Sequence, residues 1–469
     1  MSTKEILELA KNNFAHSKYP FFDSVQEINS YVKNLAALLG DALTLDKRNI
    51  ALTHPSFYAE LLDIIHFRIP VHSRIDLLGL SKLRSSMVIR DLARYMIESN
   101  FQNLKSTDSR FRYGLLVKQL TFDPETRAIF GYLPDVYQKD IEPYIFVVNR
   151  FVDSKFQDEV SATGAKVVFL PQALSDVVKT LRHYSLDYLH FTNDITAKYT
   201  LSAKIPFFKV ASKMGAGVSS IMPIAFSKLD TFLAGDYFLD NCDHDEYPIR
   251  LLSGKHPGYA FRGTETLASG RRAKDSVTKE AKTIFISGSN FWKINGEVIR
   301  LWGAVMREVP NSLIKLSLFP PHYTAGDSQI ILNRIAQIFE ECGVSKSRVI
   351  LLEPSKSLGD WHRELQMSHI YLDSFPYSSL TSIHDALQCG LPTVVMKGPL
   401  LRNQHAPAIL HQMKLDTLIA KDSQEYIRLC VELAVDPEKH TRLRSVITSN
   451  FNLLTDVRGF FSSFIKAVK

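Results

Sequence analysis

The chain has 469 residues, of which 45% are hydrophobic and 22% charged, so it can fill the cores of two or three domains and is not intrinsically disordered. Its formal net charge of +7 permits an anionic ligand such as a nucleotide diphosphate, and also nucleic acid or an acidic membrane surface. Basic residues are scattered, and their densest cluster lies in the linker-like stretch ASGRRAKDS, which argues against nucleic acid.

The cysteines and the start of the chain indicate a cytoplasmic protein. Cys242, Cys342, Cys389 and Cys430 lie far apart without metal-binding spacing, which predicts buried thiols in a reducing compartment. The first residues, MSTKEILELAKNNF, lack the apolar core of a secretory signal. We expect no membrane span, because apolar runs stay below about 18 residues.

Residues 1–108 are predicted to form an all-helical domain. Apolar residues recur at helical spacing in EILELAKNNF, VQEINSYVKNLAALLGDAL and RSSMVIRDLARYMIESNF. We expect this domain to bind an acceptor or a partner protein.

Residues 109–270 alternate between predicted strands and helices. The strands are RYGLLVKQL, YIFVVNRF, AKVVFL, LDYLHF and PFFKVAS, and the helices are ETRAIFGYLPDVYQ and ALSDVVKTLRHY. Such alternation is typical of a mostly parallel sheet. The stretch 251–282, rich in Gly, Ser and Lys, reads as a connection between domains.

Residues 271–469 repeat the alternation. The predicted strands are TIFIS, LIKLSLF, RVILL, HIYLD and PTVVM. One helix closes at Gly343, another opens with the capping pair Asp422 and Glu425, and the last, TDVRGFFSSFIKAV, is strongly apolar. The sequence therefore predicts an α/β protein with two Rossmann-like lobes facing a cleft, where ligands bind beyond the carboxyl ends of the strands.

Small hydroxyl residues precede a predicted helix in LDSFPYSSLTSIHDALQCGLPTVV. Thr381 and Ser382 can bring backbone N–H groups and hydroxyls to a phosphate, and Asp385 follows one turn later, where it can accept hydrogen bonds from a ribose diol. The alternative is an ordinary helix cap. Lys293, between a strand and a helix, can neutralise a diphosphate, although a solvated surface lysine is the commoner case.

Several motifs resemble the O-GlcNAc transferase family in the same order. They are SGSNFWKINGEVIRLWGAVMREVPNSLIKL and HIYLDSFPYSSLTSIHDALQCGLPTVVMKG, followed by LDTLIAKDSQEY. The bacterial adhesin N-glucosyltransferases look most similar around LDSFP. The resemblance is good over 283–469, weak over 110–250 and undetectable before. It implies a GT-B fold and inverting transfer from a UDP-sugar, without a metal, to a protein acceptor.

The resemblance assigns donor-site roles to six positions. Lys293 matches the lysine that contacts the diphosphate, Thr381 and Ser382 the phosphate-binding pair, Asp385 the ribose-binding aspartate, and Asn290 a polar residue near the diphosphate. The family histidine that stacks on uracil aligns with Trp361, with His362 beside it; either ring can stack on a base.

The acceptor side departs further from the family. A histidine loop of the form HPTSH corresponds here to FDPETR, so Asp123 replaces the first histidine and Arg127 the second. The family also has a glycine- and threonine-rich loop, to which Gly215, Gly217, Ser219 and Ser220 correspond here. Asp230 corresponds to the aspartate that follows this loop, and Lys209 takes the place of the glutamine that precedes it.

The sequence thus predicts a glycosyltransferase that moves a hexose from UDP-glucose or UDP-GlcNAc to a side chain of an adhesin or another surface protein. Lys293 and Asp123 are the predicted catalytic residues, Asp123 handling the acceptor proton. The alternative is a non-catalytic GT-B protein that stabilises or targets another glycosyltransferase. The triplet Asp243-His244-Asp245 resembles motifs that bind a metal ion and, through it, a sugar diphosphate. Because Lys293 already supplies a positive charge for the diphosphate, we expect neither a metal nor a cofactor.

Overall fold

The computed structural model of the chain describes residues 1–15, 21–65, 67, 77–97, 110–121, 124–127, 131, 140–220, 222–242, 250–252, 259, 261, 283–318, 325–355, 357–455 and 460–469. Among these residues, no helix combines the length and the apolar character needed to cross a bilayer.

The first described residues are helical, as predicted. The helices are α1 Thr3–Asn13, α2 Val25–Thr44, α3 Lys47–Thr53, α4 Phe57–Ile64 and α5 Leu77–Leu92. Side chains cap the first two: Ser2 and Glu5 form a capping box, and Ser24 accepts a hydrogen bond from the Glu27 amide. Their apolar faces pack together around Leu35, Leu39 and Leu61, which are fully buried.

A parallel sheet of seven strands forms the first lobe. Its order is β3-β2-β1-β4-β5-β6-β7, and the strands are β1 Phe111–Val117, β2 Ile141–Val147, β3 Lys166–Phe169, β4 Tyr188–Phe191, β5 Lys213–Gly217, β6 Thr231–Leu233 and β7 Arg250–Leu252. Helices α6 Pro124–Arg127, α7 Ser154–Ala162, α8 Leu174–His183, α9 Leu201–Lys204 and α10 Asp236–Asn241 connect them.

One strand prediction in this lobe is wrong. PFFKVAS overlaps a 3₁₀ turn, Ile205–Phe207, and the strand comes later, at Lys213–Gly217. Pro206 lacks a backbone N–H and fixes its own φ, which favours the turn. The glycines of the true strand have a packing reason: a Cβ on Gly215 would lie 1.8 Å from the Tyr188 hydroxyl.

The second lobe is a parallel sheet of six strands in the order β10-β9-β8-β11-β12-β13. The strands are β8 Thr283–Ser287, β9 Ser312–Leu316, β10 Val349–Leu351, β11 Ile370–Leu372, β12 Thr393–Met396 and β13 Ile419–Ala420. All five strands predicted here are present. The helices are α11 Gly296–Glu308, α12 Ala325–Glu341, α13 Leu358–Gln366, α14 Thr381–Gln388, α15 His405–Gln412, α16 Ser423–Val435 and α17 Pro437–Thr455.

Two predicted helix boundaries in this lobe are confirmed. Gly343 follows α12 with φ +79°, in the left-handed region that favours glycine. Asp422 caps α16 by accepting a hydrogen bond from the Glu425 amide at 2.8 Å.

The terminal helix returns to the first lobe. Helix α18, Phe460–Val468, buries Phe461 and Phe464 against Tyr113 and Tyr188 of the first sheet. The Lys213 ammonium donates to the Val468 carbonyl oxygen at 2.6 Å. This helix accounts for the strongly apolar end of the sequence, because its apolar face covers strands of the other lobe.

The helical region touches both lobes. On α5, the Ser81 hydroxyl donates to the Pro223 carbonyl oxygen at 2.5 Å, and the Tyr199 hydroxyl donates to Asp91 at 2.5 Å, so this helix is fixed to the first lobe. Asp23 reaches the second lobe instead, where its carboxylate accepts hydrogen bonds from Arg334 at 2.5–3.1 Å.

Candidate functional site

The carboxyl ends of β8 and β11 lie side by side, because these two strands pair in parallel at the centre of the second sheet. The turns that follow them are joined by hydrogen bonds. The Ser289 and Ser379 hydroxyls are 3.0 Å apart, and the Gly288 amide donates to the Tyr371 hydroxyl at 3.3 Å. This is the position at which open parallel sheets bind ligands.

Lys293 ends a 3₁₀ turn, Phe291–Lys293, directly after β8. Its ammonium donates to the Ser378 carbonyl oxygen at 3.2 Å and lies 4.3 Å from the centre of the Tyr377 ring. The Trp292 ring centre is 5.4 Å from the ammonium and 5.3 Å from the Tyr377 ring centre, so the two rings are neighbours. The ammonium is therefore held at the turn that leads into α14, where the sequence predicts a diphosphate.

Asp373, which was not predicted from the sequence, is a second buried acid of this site beside Asp385. It follows β11, and its carboxylate accepts hydrogen bonds from the Ser379 amide at 3.0 and 3.3 Å. Burial raises the pKa of Asp373 to about 6, against the opposing effects of Ser379 and of the Lys293 charge. The sequence could have indicated Asp373 as a site residue, because it is the last residue of the predicted strand HIYLD and so lies at the carboxyl end of a central strand.

The hydroxyl residues at the start of α14 are not an ordinary cap. Leu380 occupies the N-cap position and makes no side-chain cap hydrogen bond. The Ser382 hydroxyl instead donates to the Gly288 carbonyl oxygen at 3.1 Å, which ties the helix start to the turn after β8. Thr381 and Ser382 thus stand in the first turn of the helix, beside the turn that carries Lys293.

The two candidate stacking rings have different surroundings. Trp361, on α13, is half-buried and lies so close to Gly288 that a Cβ there would be 2.5 Å from the indole. His362 is buried and faces Asp385, with its Nε2 3.6 Å from Oδ1 of that carboxylate. Only Trp361 therefore flanks the turn after β8, and His362 belongs to the surroundings of Asp385.

Asp385 is buried among positive and polar groups. Both of its oxygens accept hydrogen bonds from the guanidinium of Arg127, which belongs to the first lobe. Burial alone would raise the pKa of Asp385, but His362, His384 and Arg127 outweigh it and hold that pKa well below its usual range. The carboxylate is therefore ionised at neutral pH, and two residues predicted for opposite sides of the cleft are in direct contact.

Two further polar atoms near Lys293 are buried and have no hydrogen-bond partner among the residues that the structure describes. They are Oδ1 of Asn290, which the sequence predicts near the diphosphate, and Nε2 of His405, which it missed. The His405 ring packs between Phe238 of the first lobe and Tyr377 of the second. Burial, then the charges of Lys293 and Arg402, lower the pKa of His405 to about 3, so the imidazole is neutral.

The predicted acceptor-side loop is partly a strand. Gly215 and Gly217 lie inside β5, and Ser219 and Ser220 form the turn after it, at its carboxyl end. The Ser220 hydroxyl is fully buried, and no described residue forms a hydrogen bond with it.

Other residues of the first lobe are placed elsewhere. Asp230 accepts hydrogen bonds from Lys209 and from the Met214 amide, both at 2.8 Å. It therefore lies at the amino end of β5, whereas the turn with Ser219 and Ser220 follows the carboxyl end of that strand. Asp123 and the triplet Asp243-His244-Asp245 lie outside the described residues.

The sequence of the second lobe resembles a known family of enzymes. Residues 264–460 match the model of glycosyl transferase family 41. The chain is also 31% identical, over 160 residues, to the probable UDP-N-acetylglucosamine–peptide N-acetylglucosaminyltransferase SPINDLY of Arabidopsis thaliana, covering 34% of this chain and 17% of that protein. It is 24% identical to the UDP-N-acetylglucosamine–peptide N-acetylglucosaminyltransferase of Caenorhabditis elegans over 35% of this chain and 14% of that protein. The matched stretch is thus only a small part of these longer relatives.

A solved structure shows the fold. A mutant O-GlcNAc transferase of Thermobaculum terrenum superposes with a TM-score of 0.71 over 94% of this chain and 81% of the other, at 16% identity. This confirms the GT-B architecture, with two parallel-sheet lobes and helices before them. The sequence similarity itself is concentrated in the lobe that carries Lys293, Thr381, Ser382 and Asp385.

Proposed function

We propose that this protein is a family 41 glycosyltransferase that moves a hexose from a UDP-sugar to a protein side chain. One observation carries the proposal. Lys293, the start of α14 and Asp385 surround the carboxyl ends of β8 and β11, within the segment that matches family 41. We further propose that the transfer inverts the anomeric centre and needs no metal.

The proposed chemistry uses positive charge supplied by the protein. The acceptor atom attacks the anomeric carbon from the face opposite the diphosphate, the glycosidic C–O bond breaks, and UDP leaves with its bonding pair. The Lys293 ammonium and the N–H groups at the start of α14 stabilise the charge that develops on the diphosphate. The acceptor proton passes to a base, for which Asp123 remains our candidate.

Other parts of the donor are assigned to the residues beside these. Asp385 would accept hydrogen bonds from the ribose diol, and the Trp361 indole would stack on uracil. Asn290 would add a polar contact near the diphosphate. UDP-glucose and UDP-GlcNAc are the proposed donors.

The proposed acceptor is a polypeptide in the cytoplasm, such as an adhesin or another surface protein of the adhesin N-glucosyltransferase type. The helical region 1–108 would hold this acceptor. The turn after β5, with Ser219 and Ser220, would face it across the cleft.

Calorimetric titration with UDP tests the donor site. We expect metal-free binding in the presence of a chelator, and a loss of at least about 100-fold in affinity in Lys293→Ala, because a half-buried positive charge near a diphosphate is worth about 3 kcal/mol. Lys346→Ala is the matched control, since that lysine is 73% exposed in the same lobe. Unchanged affinity in Lys293→Ala would refute the assignment, and binding that requires Mg²⁺ would refute the metal-free mechanism.

A second candidate function is a non-catalytic partner that stabilises or targets another glycosyltransferase. It is favoured by the ion pair between Arg127 and Asp385, which engages the carboxylate assigned to the ribose. It predicts co-purification with an active transferase, and neither sugar transfer nor UDP-sugar hydrolysis by the purified chain. Turnover of UDP-glucose or UDP-GlcNAc by the chain alone, lost in Lys293→Ala, would exclude it.

A further inference from the structure

The two lobes are joined by a buried ion pair. Arg127, on α6 of the first lobe, and Asp385, on α14 of the second, are separated by 258 positions, and their side chains are 4% and 6% exposed. Such a pair inside a cleft between lobes differs from surface ion pairs, which contribute little, because removing one partner would leave an uncompensated charge in the interior.

The contacts on the two oxygens of Asp385 are unequal. Oδ1 accepts from Nη2 of Arg127 and also has Nε2 of His362 at 3.6 Å and Nδ1 of His384 at 3.7 Å. Oδ2 accepts one long hydrogen bond from the described part of the chain, from Nη1 of Arg127 at 3.4 Å. A carboxylate has about four acceptor positions, so Oδ2 keeps capacity for a hydroxyl donor.

The groups around Oδ1 are themselves fixed. The His384 ring stacks on Phe261 with ring centres 4.2 Å apart, and burial keeps its pKa below the usual range, so it is a neutral neighbour. Arg127 is therefore the permanent cation at this carboxylate. Without it, the compensation that the described residues give to buried Asp385 would come from histidines, and its ionised, oriented form would be disfavoured.

We propose that Arg127 is a positioning residue of the donor site: its guanidinium holds the Asp385 carboxylate in the orientation that receives the ribose hydroxyls of a nucleoside diphosphate. This inference rests on the proposed function and moves Arg127 from the acceptor side, where the sequence places it, to the donor side. Because Arg127 belongs to the other lobe, recognition of the ribose depends on contact between the lobes.

The test compares UDP with 2′,3′-dideoxy-UDP by calorimetry. We expect the wild-type protein to bind UDP at least about 10-fold more tightly, because hydrogen bonds to a carboxylate are among the stronger ones. In Arg127→Gln, UDP binding should weaken and the two affinities should agree within about twofold. Arg127→Lys should restore part of the discrimination, since it keeps the charge but not the planar fork.

Lys293→Ala is the matched control. It should weaken the binding of both nucleotides by a similar factor and keep the preference for the ribose diol, since the Lys293 ammonium contacts the Ser378 carbonyl oxygen and not Asp385. If Arg127→Gln does not fold, the double variant Arg127→Gln/Asp385→Asn, which buries no charge, should bind both nucleotides equally.

The outcomes separate the two proposals. A wild-type preference for UDP over 2′,3′-dideoxy-UDP in Arg127→Gln or in the double variant would overturn the role of Arg127. Tighter UDP binding by Arg127→Gln would overturn it too, because it would mean that the guanidinium occupies the place of the ribose. Equal binding of both nucleotides by the wild-type protein would also overturn it, while leaving the proposed function standing. A wild-type protein that binds neither nucleotide would remove the proposed function and this inference with it.

Discussion

Adding one methyl group at Gly288 should displace the ring assigned to uracil. A Cβ there would lie 2.5, 2.7 and 3.4 Å from three atoms of the Trp361 indole, whereas ordinary contacts are 3.4–4 Å. The indole must therefore retreat by about 1 Å, because the turn backbone is tied to Tyr371 and Ser382. Since stacking of a base on an aromatic ring is worth about 1–3 kcal/mol, Gly288→Ala should weaken UDP binding about 10- to 100-fold.

Calorimetry with UDP on four proteins measures this effect: the wild type, Gly288→Ala, Trp361→Ala and the double variant. Because the methyl acts through the indole, the double variant should bind UDP as weakly as Trp361→Ala and no weaker. Gly40→Ala is the matched control, since that glycine lies within α2 and, beyond its own helix backbone, no atom of the described residues would lie within 4 Å of an added Cβ. It should leave UDP binding unchanged and stabilise the helix by about 0.5–1 kcal/mol.

Either of two results would refute this reasoning. Wild-type affinity in a folded Gly288→Ala protein would show that the indole position does not matter. Wild-type affinity in Trp361→Ala would show that the ring does not contact the base at all.

Two further predictions concern pH, with opposite signs. The pKa of His405 is lowered to about 3, so the unfolded chain takes up the proton at higher pH than the folded protein does. The free energy of unfolding should therefore fall by up to about 1.4 kcal/mol per pH unit as pH decreases from about 6.5 towards 3. Denaturant melts of His405→Gln between pH 5 and 7 should show a weaker dependence of stability on pH, and an unchanged slope would contradict the assignment. The pKa of Asp373 is raised to about 6, so the stability that its protonated carboxyl provides is present below about pH 4 and is lost as pH rises through 6. Over that interval Asp373→Asn should become more stable relative to the wild type, by at most about 3 kcal/mol. A stability difference that shrinks with rising pH would contradict this prediction.

The fold could be predicted from the sequence because each lobe alternates short buried apolar runs with amphipathic helices. TIFIS coincides with β8, and its five residues are all buried. PFFKVAS failed because an apolar run says little about a strand when a proline lies inside it. The true strand, KMGAG, has a composition that disfavours strands, and it is stable there because Tyr188 and Thr231 occupy the space beside Gly215.

The placement of the predicted donor-side residues could be foreseen because they lie beside strand ends and a helix start in the sequence, whereas their role in donor binding stays a prediction. Lys293, Thr381 and Ser382 each stand within a few residues of a predicted boundary. The contact between Arg127 and Asp385 could not be predicted, because it depends on how two lobes pack across 258 positions. His405 was equally hidden, since only the packing of Phe238 and Tyr377 around it reveals its burial.

The attachment of the helical region to both lobes limits how the cleft can open. Its contacts with the first lobe, at Ser81 and Tyr199, are buried, whereas Asp23 and Arg334, which reach the second lobe, are 29% and 27% exposed. A partly exposed ion pair is worth about 1 kcal/mol or less and weakens with salt. The carbonyl oxygen of buried Phe22 also accepts a hydrogen bond from the Gly296 amide of the second lobe at 2.8 Å, a contact between uncharged groups. Ionic strength is therefore a control on only part of the link that holds the helical region to the second lobe.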